Sequence, residues 1–269
     1  MLSSKSIMEK VRTWARVVSS SKENMTSNPT QRLNAEEWGE IARQSEMKDI
    51  LDMLAGKTSP KSWTLEMMKL TQTGERVLEI GCGSGQTSLY LAQNGRRVTA
   101  LDYAPKSIEL VQSVAARAGI GIETIQADAM KPLPFDENSF DVIFQAGLLE
   151  HFSQEERIGM LSTWAPYTKR MVSMIPNAHS LAYRLGKKIS EQNGTWPYGL
   201  EMPQPSLLKD FMEAGFKNVQ ETSIGLEDAL QFLPKHHYLR NAIERWRKEM
   251  GEDSDLWGQG YLLVTVGEK

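Results

Sequence analysis

The chain has 269 residues, 40% of them hydrophobic, which is enough to bury the core of a globular protein. Its 31 Lys and Arg against 34 Asp and Glu give a net charge of −3, which excludes the global positive field that draws proteins to nucleic acid or anionic membranes. The one cysteine, Cys82, excludes an intrachain disulfide, so we expect a cytoplasmic protein. No run of about 18 apolar residues occurs, so we expect no transmembrane helix.

Residues 1–70 predict an N-terminal helical arm and cap. Within 3–18, apolar residues recur at three- and four-residue spacings, as on one face of a helix. That face consists of Ile7, Val11, Trp14 and Val18. Because the segment carries few charges, we favour docking on the protein body or a partner over anchoring at a membrane surface. A second helical stretch, 34–70, is broken near Gly56 and again at Ser59-Pro60.

From residue 71 to 269, short apolar runs alternate with helical stretches. The predicted strands are 77–80, 97–101, 122–126, 140–144, 171–175, 217–223 and 261–266. The predicted helices between them include 86–93, 105–118 and 205–214. This alternation predicts a Rossmann-like, doubly wound α/β fold with a mostly parallel sheet, a C-terminal antiparallel strand and a helical cap. Insertions near 176–205 and 226–250 interrupt it as candidate lids.

A glycine cluster joins the first predicted strand to the first helix of this domain. Its pattern is acidic-x-G-x-G-x-G, from Glu79 to Gly85. A nicotinamide fingerprint would require glycine at position 86, which is Gln86, and a phosphate loop would require a lysine that the cluster lacks. Asp102 ends the second strand, and Asp128 follows the third.

These motifs resemble class I S-adenosylmethionine-dependent methyltransferases, specifically their small-molecule branch. The resemblance extends from about residue 76 to 224, through 77–85, 98–102, 126–129, 134–143 and 149–151. It implies S-adenosyl-L-methionine as the cofactor. It also implies that the cofactor site comprises Glu79, Gly81, Cys82, Gly83, Gly85, Asp102, Tyr103, Asp128, Ala129 and Gln145.

The resemblance gives several of these residues a role. Asp102 should accept hydrogen bonds from both ribose hydroxyls, Asp128 and the Ala129 backbone should address the adenine edge, and Glu79 should lie near the cofactor ammonium. The alternative is that the three carboxylates are ordinary caps or satisfied strand-end groups. Cys82 is interpreted as a small packing residue, because no basic partner adjoins it to activate a nucleophile.

His151 is the candidate general base, because the fourth strand should deliver it to the carboxyl edge of the sheet, where ligands bind in open α/β folds. In many relatives this histidine stabilises the loop beside the cofactor, and that alternative stays open. Related ubiquinone-type O-methyltransferases carry a further glutamate three residues before the Glu-His pair and use these groups around a metal. Gly147 stands there instead, so we expect no metal.

The candidate acceptor-binding residues are aromatic and come from 34–70 and 176–205. They are Trp38, Tyr183, Trp196 and Tyr198. The second segment also contains Asn177, His179, Arg184 and Glu201. Aromatic side chains there could enclose an acceptor, although an ordinary packed insertion would use the same residue types. We expect the two segments to meet over the cofactor, because in-line displacement benefits from a closed site.

The function that follows from the resemblance is methyl transfer to a small metabolite or natural product, at O, N, S or C. One alternative is methylation of a peptide, protein or RNA, although the charge balance supplies no basic surface for RNA. Another is a non-catalytic binder of the cofactor, because fold does not guarantee chemistry. The partner expected is therefore a small-molecule acceptor, with no nucleic acid and no membrane. The sequence predicts neither the acceptor nor the oligomeric state.

Overall fold

A computed structural model describes residues 28–44, 47–251 and 258–269. The helix predicted within 3–18 lies outside the described residues. The helices are α1 (Ala35–Gln44), α2 (Met47–Leu54), α3 (Ser62–Leu70), α4 (Gln86–Gln93), α5 (Pro105–Ala118), α6 (Gln154–Trp164), α7 (Leu181–Gln192), α8 (Leu208–Glu213), α9 (Leu226–Gln231) and α10 (Tyr238–Met250). The strands are β1 (Arg76–Ile80), β2 (Arg97–Asp102), β3 (Glu123–Gln126), β4 (Phe140–Ala146), β5 (Thr168–Pro176), β6 (Lys217–Ile224) and β7 (Leu262–Glu268).

The seven strands form one sheet in the order β3-β2-β1-β4-β5-β7-β6. The first five strands are parallel to their neighbours, and β7 lies antiparallel between β5 and β6. The predicted α/β fold with its antiparallel C-terminal strand is confirmed. In-register pairing of Ile80 with Leu101 and of Asp102 with Gln126 brings the carboxyl ends of β1, β2 and β3 to one edge.

Both faces of the sheet are apolar, as in parallel sheets covered by helices on each side. Leu78 and Ile80 of β1 belong to a core cluster that includes Trp164 of α6 and Phe211 of α8. Val77 belongs to a second cluster on other residues of the same strands, packed against α3 and α4. Because β1 is buried on both faces after its first residue, Arg76, the rest of its sequence is an apolar run interrupted only by Glu79, which makes that buried carboxylate conspicuous.

One helix is shorter than predicted. We expected a helix over 205–214, but α8 begins at Leu208. The backbone N–H of Leu207 donates to Glu221 Oε2 on β6 at 2.8 Å, which holds the preceding segment in a loop. The pattern of residues along the chain does not reveal a bond between segments that are distant in sequence. The start of α8 could therefore not be predicted from the sequence.

Two peripheral segments reach the carboxyl edge of the sheet. The first contains α1 and α2, which pack on α5; the pairing of Lys106 with Glu40 supports this contact. The second is the 176–205 insertion with α7, which packs on α9. They meet where the backbone N–H of Leu200 donates to the Gln31 carbonyl at 2.8 Å. Among the described residues, no helix is long and apolar enough to cross a membrane.

Candidate functional site

A cavity of about 540 Å³ lies at the carboxyl edge of the sheet, within the size range typical of small-molecule sites. Loops after β1, β2, β3 and β4 form one side, and residues of α1 and of 198–201 form the other. Of the predicted site residues, those in the cavity wall are Trp38, Glu79, Gly81, Cys82, Gly83, Asp102, Tyr103, Asp128, Ala129, His151 and Tyr198. Four others, Gly85, Gln145, Tyr183 and Trp196, lie outside the wall.

The loop after β1 presents bare backbone to the cavity. Gly81 and Gly83 have φ values of +70° and +52°, in the left-handed region that favours glycine. The loop is tied to the neighbouring strand, since the N–H groups of Gly81 and Cys82 donate to the Leu101 carbonyl at 2.8 and 3.0 Å. These bonds hold the loop in place, so a ligand meets a preformed surface.

Gly85 supports this loop from behind. Its φ is +68°, and a Cβ built there would lie 2.3 Å from Val111 Cγ2. The absence of a side chain therefore lets the start of α4 pack against α5. The structure gives Gly85 a packing role, and its predicted contribution to the cofactor site would be indirect.

Asp102 is held by its neighbours' backbone. Its Oδ2 accepts from the Gly83 N–H and its Oδ1 from the Ala104 N–H, both at 2.8 Å. Burial raises the pKa of this carboxyl, and the backbone donors oppose that effect. Tyr103 follows on the wall, where its hydroxyl donates to the Leu33 carbonyl at 3.3 Å. Each Asp102 oxygen retains a lone pair for a further donor.

Two more carboxylates stand on the same side of the cavity. Glu79 accepts at Oε2 from both the N–H and the hydroxyl of Ser88, and burial raises its pKa to about 8. Asp128 is exposed and accepts from the Met130 N–H at 2.9 Å. The Ala129 carbonyl accepts from Trp164 Nε1 at 2.9 Å. The loops that carry Asp128 and Ala129 are thus fixed to the core.

Gln145 acts one layer behind the wall. It is fully buried, its Nε2 donates to Ser173 Oγ, and its Oε1 accepts from the Leu148 N–H at 2.8 Å. These two bonds tie the end of β4 to β5 and to the loop that follows. Gln145 therefore positions that loop, and the predicted direct contact with the cofactor is not seen in the wall.

His151 lies in the wall on a short 3₁₀ turn after β4. Its Nδ1 contacts the Leu200 carbonyl, which can only accept, so Nδ1 carries the hydrogen and Nε2 the lone pair. Burial lowers the His151 pKa to about 4, which the Leu200 carbonyl opposes. The ring is therefore neutral at pH 7 and offers an acceptor atom.

The predicted aromatic residues divide into two layers. Trp38 and Tyr198 line the cavity with ring centroids 6.5 Å apart and planes at 21°, and Trp38 meets the His151 ring edge-on at 4.9 Å. Trp196 lies behind Tyr198, with centroids 5.1 Å apart, and is 5% exposed. Tyr183 is fully buried. The inner pair could contact an acceptor directly, whereas the outer pair supports it.

Residues to which the sequence analysis gave no role complete the wall beside His151. They are Glu150, Glu201, Tyr261 and Trp63. Glu150 is 2% exposed, and its Oε2 has no hydrogen-bond partner among the described residues. Glu201 accepts from the Tyr183 hydroxyl and lies 4.0 Å from Lys187 Nζ. The sequence did contain a signal for Glu201. It lies in the aromatic-rich segment 176–205, and a glutamate that such a segment buries needs a hydrogen-bond partner or a ligand.

Burial raises the pKa of both glutamates. That of Glu150 lies well above its usual range, first because of burial and then because Glu201 is near. That of Glu201 rises to about 7, opposed by Tyr183 and Lys187. Within the described ranges, no group of three or more His, Cys, Asp or Glu side chains is arranged to hold a metal ion.

Residues 77–170 match the family model described as a methyltransferase domain. That range includes the glycine loop, Asp102, Asp128 and His151, which the structure gathers around one cavity. Over these residues the chain is therefore similar to methyltransferase domains, as its motifs implied. Its fold agrees with a solved S-adenosylmethionine-dependent methyltransferase of Archaeoglobus fulgidus at TM-score 0.54 and 19% identity, covering 77% of this chain and 91% of that one.

Two curated relatives extend the comparison. The chain is 36% identical over 78 residues to a ubiquinone biosynthesis O-methyltransferase of Methylocella silvestris, covering 29% of this chain and 30% of the relative. It is 29% identical over 167 residues to an S-adenosyl-L-methionine-dependent Diels-Alderase of Talaromyces variabilis, covering 56% of each. The chain therefore spans about a third of one relative and about half of the other.

Proposed function

We propose that this protein transfers a methyl group from S-adenosylmethionine to a small-molecule acceptor. The observation that carries the proposal is that one cavity joins the glycine loop and its carboxylates to an aromatic wall of Trp38, Tyr198 and Tyr261. A cofactor and an acceptor bound to these two sides would share one enclosed space, as in-line displacement requires.

The residues at the glycine-loop side fit the cofactor. Gly81 and Gly83 allow close approach to the backbone, the free lone pairs of Asp102 suit two ribose hydroxyls, and Glu79 suits an ammonium. S-adenosylmethionine, when bound, supplies an electrophilic methyl group whose leaving sulfur departs neutral. The chain itself contributes positioning and exclusion of water, for which the contact between Trp38 and Tyr198 forms a roof.

His151 is proposed to position the wall, and to accept a proton where the acceptor carries one. Its Nδ1 bond to the Leu200 carbonyl joins the loop after β4 to the 176–205 insertion. Its neutral Nε2 at pH 7 remains an acceptor. This geometry is compatible with both roles that the sequence analysis left open, and substitution by glutamine, which retains hydrogen bonding but is not a base, separates them.

The enclosure of the cavity wall favours a small acceptor over a macromolecular one. Its acceptor side is formed by buried or half-buried groups from α1, β4 and 198–201, whereas a protein or RNA needs an open face. The similarity to the Methylocella ubiquinone biosynthesis enzyme also favours a small molecule. The similarity to the Talaromyces Diels-Alderase favours a second candidate, a cofactor-binding protein whose reaction is not methyl transfer.

Two measurements test the proposal. Calorimetry should show binding of S-adenosylmethionine and S-adenosylhomocysteine but no comparable binding of NAD or ATP. Incubation with methyl-labelled cofactor and fractionated metabolite, protein and RNA extracts should then label the metabolite fraction. Label in protein or RNA would replace the small-molecule proposal. Cofactor binding without any labelled fraction, while metabolites are converted, would support the second candidate.

A further inference from the structure

Glu150 and Glu201 form a buried acidic pair in the cavity wall, and no step described so far uses them. Both are at least nine-tenths buried. Glu150 Oε2 is without a hydrogen-bond partner among the described residues, and its Oε1 is 3.9 Å from His151 Nε2. Because His151 Nδ1 carries the ring hydrogen, Nε2 cannot donate to this carboxylate. Oε2 of Glu150 is thus a buried acceptor atom for which the described residues supply no donor.

Lys187 lies beside the pair but has other partners. Arg32, the cation in the cavity wall, pairs with Glu156. Lys187 lies 4.0 Å from Glu201, but its Nζ donates to Glu191 at 2.8 Å and lies 4.0 Å over the Trp196 ring. Glu201 has the Tyr183 hydroxyl as a further donor, whereas Glu150 has none of these. The acidic pair therefore faces the cavity with an excess of negative charge when it is ionised.

The walls beside the pair are aromatic. Trp38, Tyr198 and Tyr261 line the same cavity as the two glutamates. Faces of such rings attract cations, and cages of aromatic residues with carboxylates recognise alkylated ammonium groups. The ionised pair would repel an anionic ligand, and a neutral alcohol would form no ion pair with it, whereas an ammonium would form one.

On this geometry, and resting on the proposed function, we propose that the acceptor is an amine, bound as a cation between the acidic pair and the aromatic wall, and methylated on nitrogen. Glu150 takes a proton from the bound ammonium, which frees the nitrogen lone pair. The nitrogen then forms a bond to the methyl carbon as the carbon–sulfur bond breaks, and the bonding pair leaves with sulfur. The products are a methylated ammonium and the neutral thioether, and the Glu150 proton returns to water.

The test is calorimetry on the protein saturated with S-adenosylhomocysteine. The probes are primary and secondary amines of arylethyl and alkyl skeletons, such as 2-phenylethylamine and hexylamine, each paired with the alcohol of the same skeleton. We expect the amines to bind at least tenfold more tightly than their alcohols. Glu150→Gln should remove most of that preference while leaving alcohol affinity within about twofold. Glu201→Gln should reduce it less, because Tyr183 and Lys187 already partner Glu201.

Glu213→Gln is the matched control, because it removes the same charge from an exposed glutamate of α8 that pairs with Lys209 and is not in the cavity wall. Its amine preference should equal that of the unmodified protein. Three outcomes would overturn the inference. They are equal affinities of the alcohol and the amine in every pair, no binding of any amine, and a preference for amines that survives Glu150→Gln. Should Glu150→Gln fail to fold, the amine–alcohol comparison in the unmodified protein and in Glu201→Gln still decides it. If the unmodified protein does not bind S-adenosylhomocysteine, that result refutes the proposed function itself.

Discussion

The two sides of the cavity differ in how the carboxylates in their walls are hydrogen-bonded. On the glycine-loop side every carboxylate has backbone or hydroxyl donors of its own: Asp102 has two backbone N–H groups, Glu79 has Ser88, and Asp128 has one N–H. On the aromatic side Glu150 has no donor for Oε2. Both sides bury acidic groups, yet only one completes their hydrogen bonding.

The difference follows from how far apart the residues are in sequence. The glycine-loop side takes its donors from the segments that follow the adjacent strands β1, β2 and β3, so strand pairing brings them together: Gly83 is 19 residues from Asp102, and Ser88 is nine from Glu79. The aromatic side gathers α1, the loop after β4, the 176–205 insertion and the start of β7. A carboxylate left unsatisfied by such an assembly costs free energy unless a ligand completes it. Under the proposed function, the satisfied groups would form a preformed cofactor site, and the unsatisfied group would be where the acceptor is recognised.

The largest expected effect tests the preformed side. Gly85→Ala should destabilise the fold by about 2 to 5 kcal/mol, because it adds left-handed strain and a Cβ only 2.3 Å from Val111 Cγ2. Gly119→Ala is the control: its φ is +67°, almost the same as the +68° of Gly85, but no atom lies within 4 Å of the added Cβ. It should cost only about 1 to 2 kcal/mol by chemical denaturation. Equal losses would show that packing against α5 is not what fixes the loop.

A second change separates cofactor affinity from stability. Asp102→Ala should weaken S-adenosylhomocysteine binding by about 1 to 3 kcal/mol, because hydrogen bonds to a charged group and the bond that holds Gly83 are both lost. Asp141→Ala serves as the control, since Asp141 pairs with Arg76 and Lys169 at the opposite end of β4. It should lower stability and leave calorimetric affinity unchanged. Unchanged affinity in Asp102→Ala would remove that residue from the cofactor site.

The contrast between the two sides also explains what the sequence could predict. Helix and strand positions were predictable because apolar periodicity and glycine or proline breaks are local, and the helices 86–93 and 105–118 match α4 and α5 at both ends. The glycine-loop side was predictable for the same reason. Gly85 and Gln145, which were predicted to bind the cofactor, lie behind the cavity wall, and the motif does not say which of its members face a ligand.

The aromatic side was predictable only in part. Trp38 and Tyr198 were chosen by residue type and do line the cavity, but so were Trp196 and Tyr183, which do not. Glu150 and Tyr261 received no role, because their meeting depends on where β4 and β7 end in the sheet. Such a meeting of distant segments is a property of the topology, and one sequence alone does not encode it in any local pattern.

A third prediction concerns pH and the aromatic side. Burial raises the Glu201 pKa to about 7 from 4.5, so the folded protein holds this proton where the unfolded chain has lost it. The stability from this group is therefore complete below about pH 4.5 and is lost as pH rises through 7. The free energy of unfolding should fall by about 2 kcal/mol between pH 5 and 8, from this group alone. Glu201→Gln should make the profile less steep by this amount, while the buried Glu79 and Glu150 keep their own contributions. Glu213→Gln, which removes an exposed carboxyl paired with Lys209, should leave the profile as it is. A profile unchanged by Glu201→Gln would mean that this carboxyl is ionised throughout.

The smallest expected effect concerns Cys82, which belongs to the glycine-loop wall but takes no part in its hydrogen bonding through its side chain. The thiol is 7% exposed, it packs in an apolar cluster with Leu89 and Val111, and burial raises its pKa, with Asp102 and Glu79 adding to the rise. A protonated, buried thiol is a poor nucleophile. Cys82→Ala should therefore cost less than about 1 kcal/mol of stability and leave S-adenosylhomocysteine affinity within about twofold, because the backbone bond from residue 82 to Leu101 is retained. Since the chain has one cysteine, alkylation by iodoacetamide reports this thiol alone, and it should be slow in the folded protein and fast after unfolding. Rapid alkylation of the folded protein, together with loss of methyl transfer in Cys82→Ala, would show that the wall of the cofactor side contributes a reactive group and is more than a preformed surface.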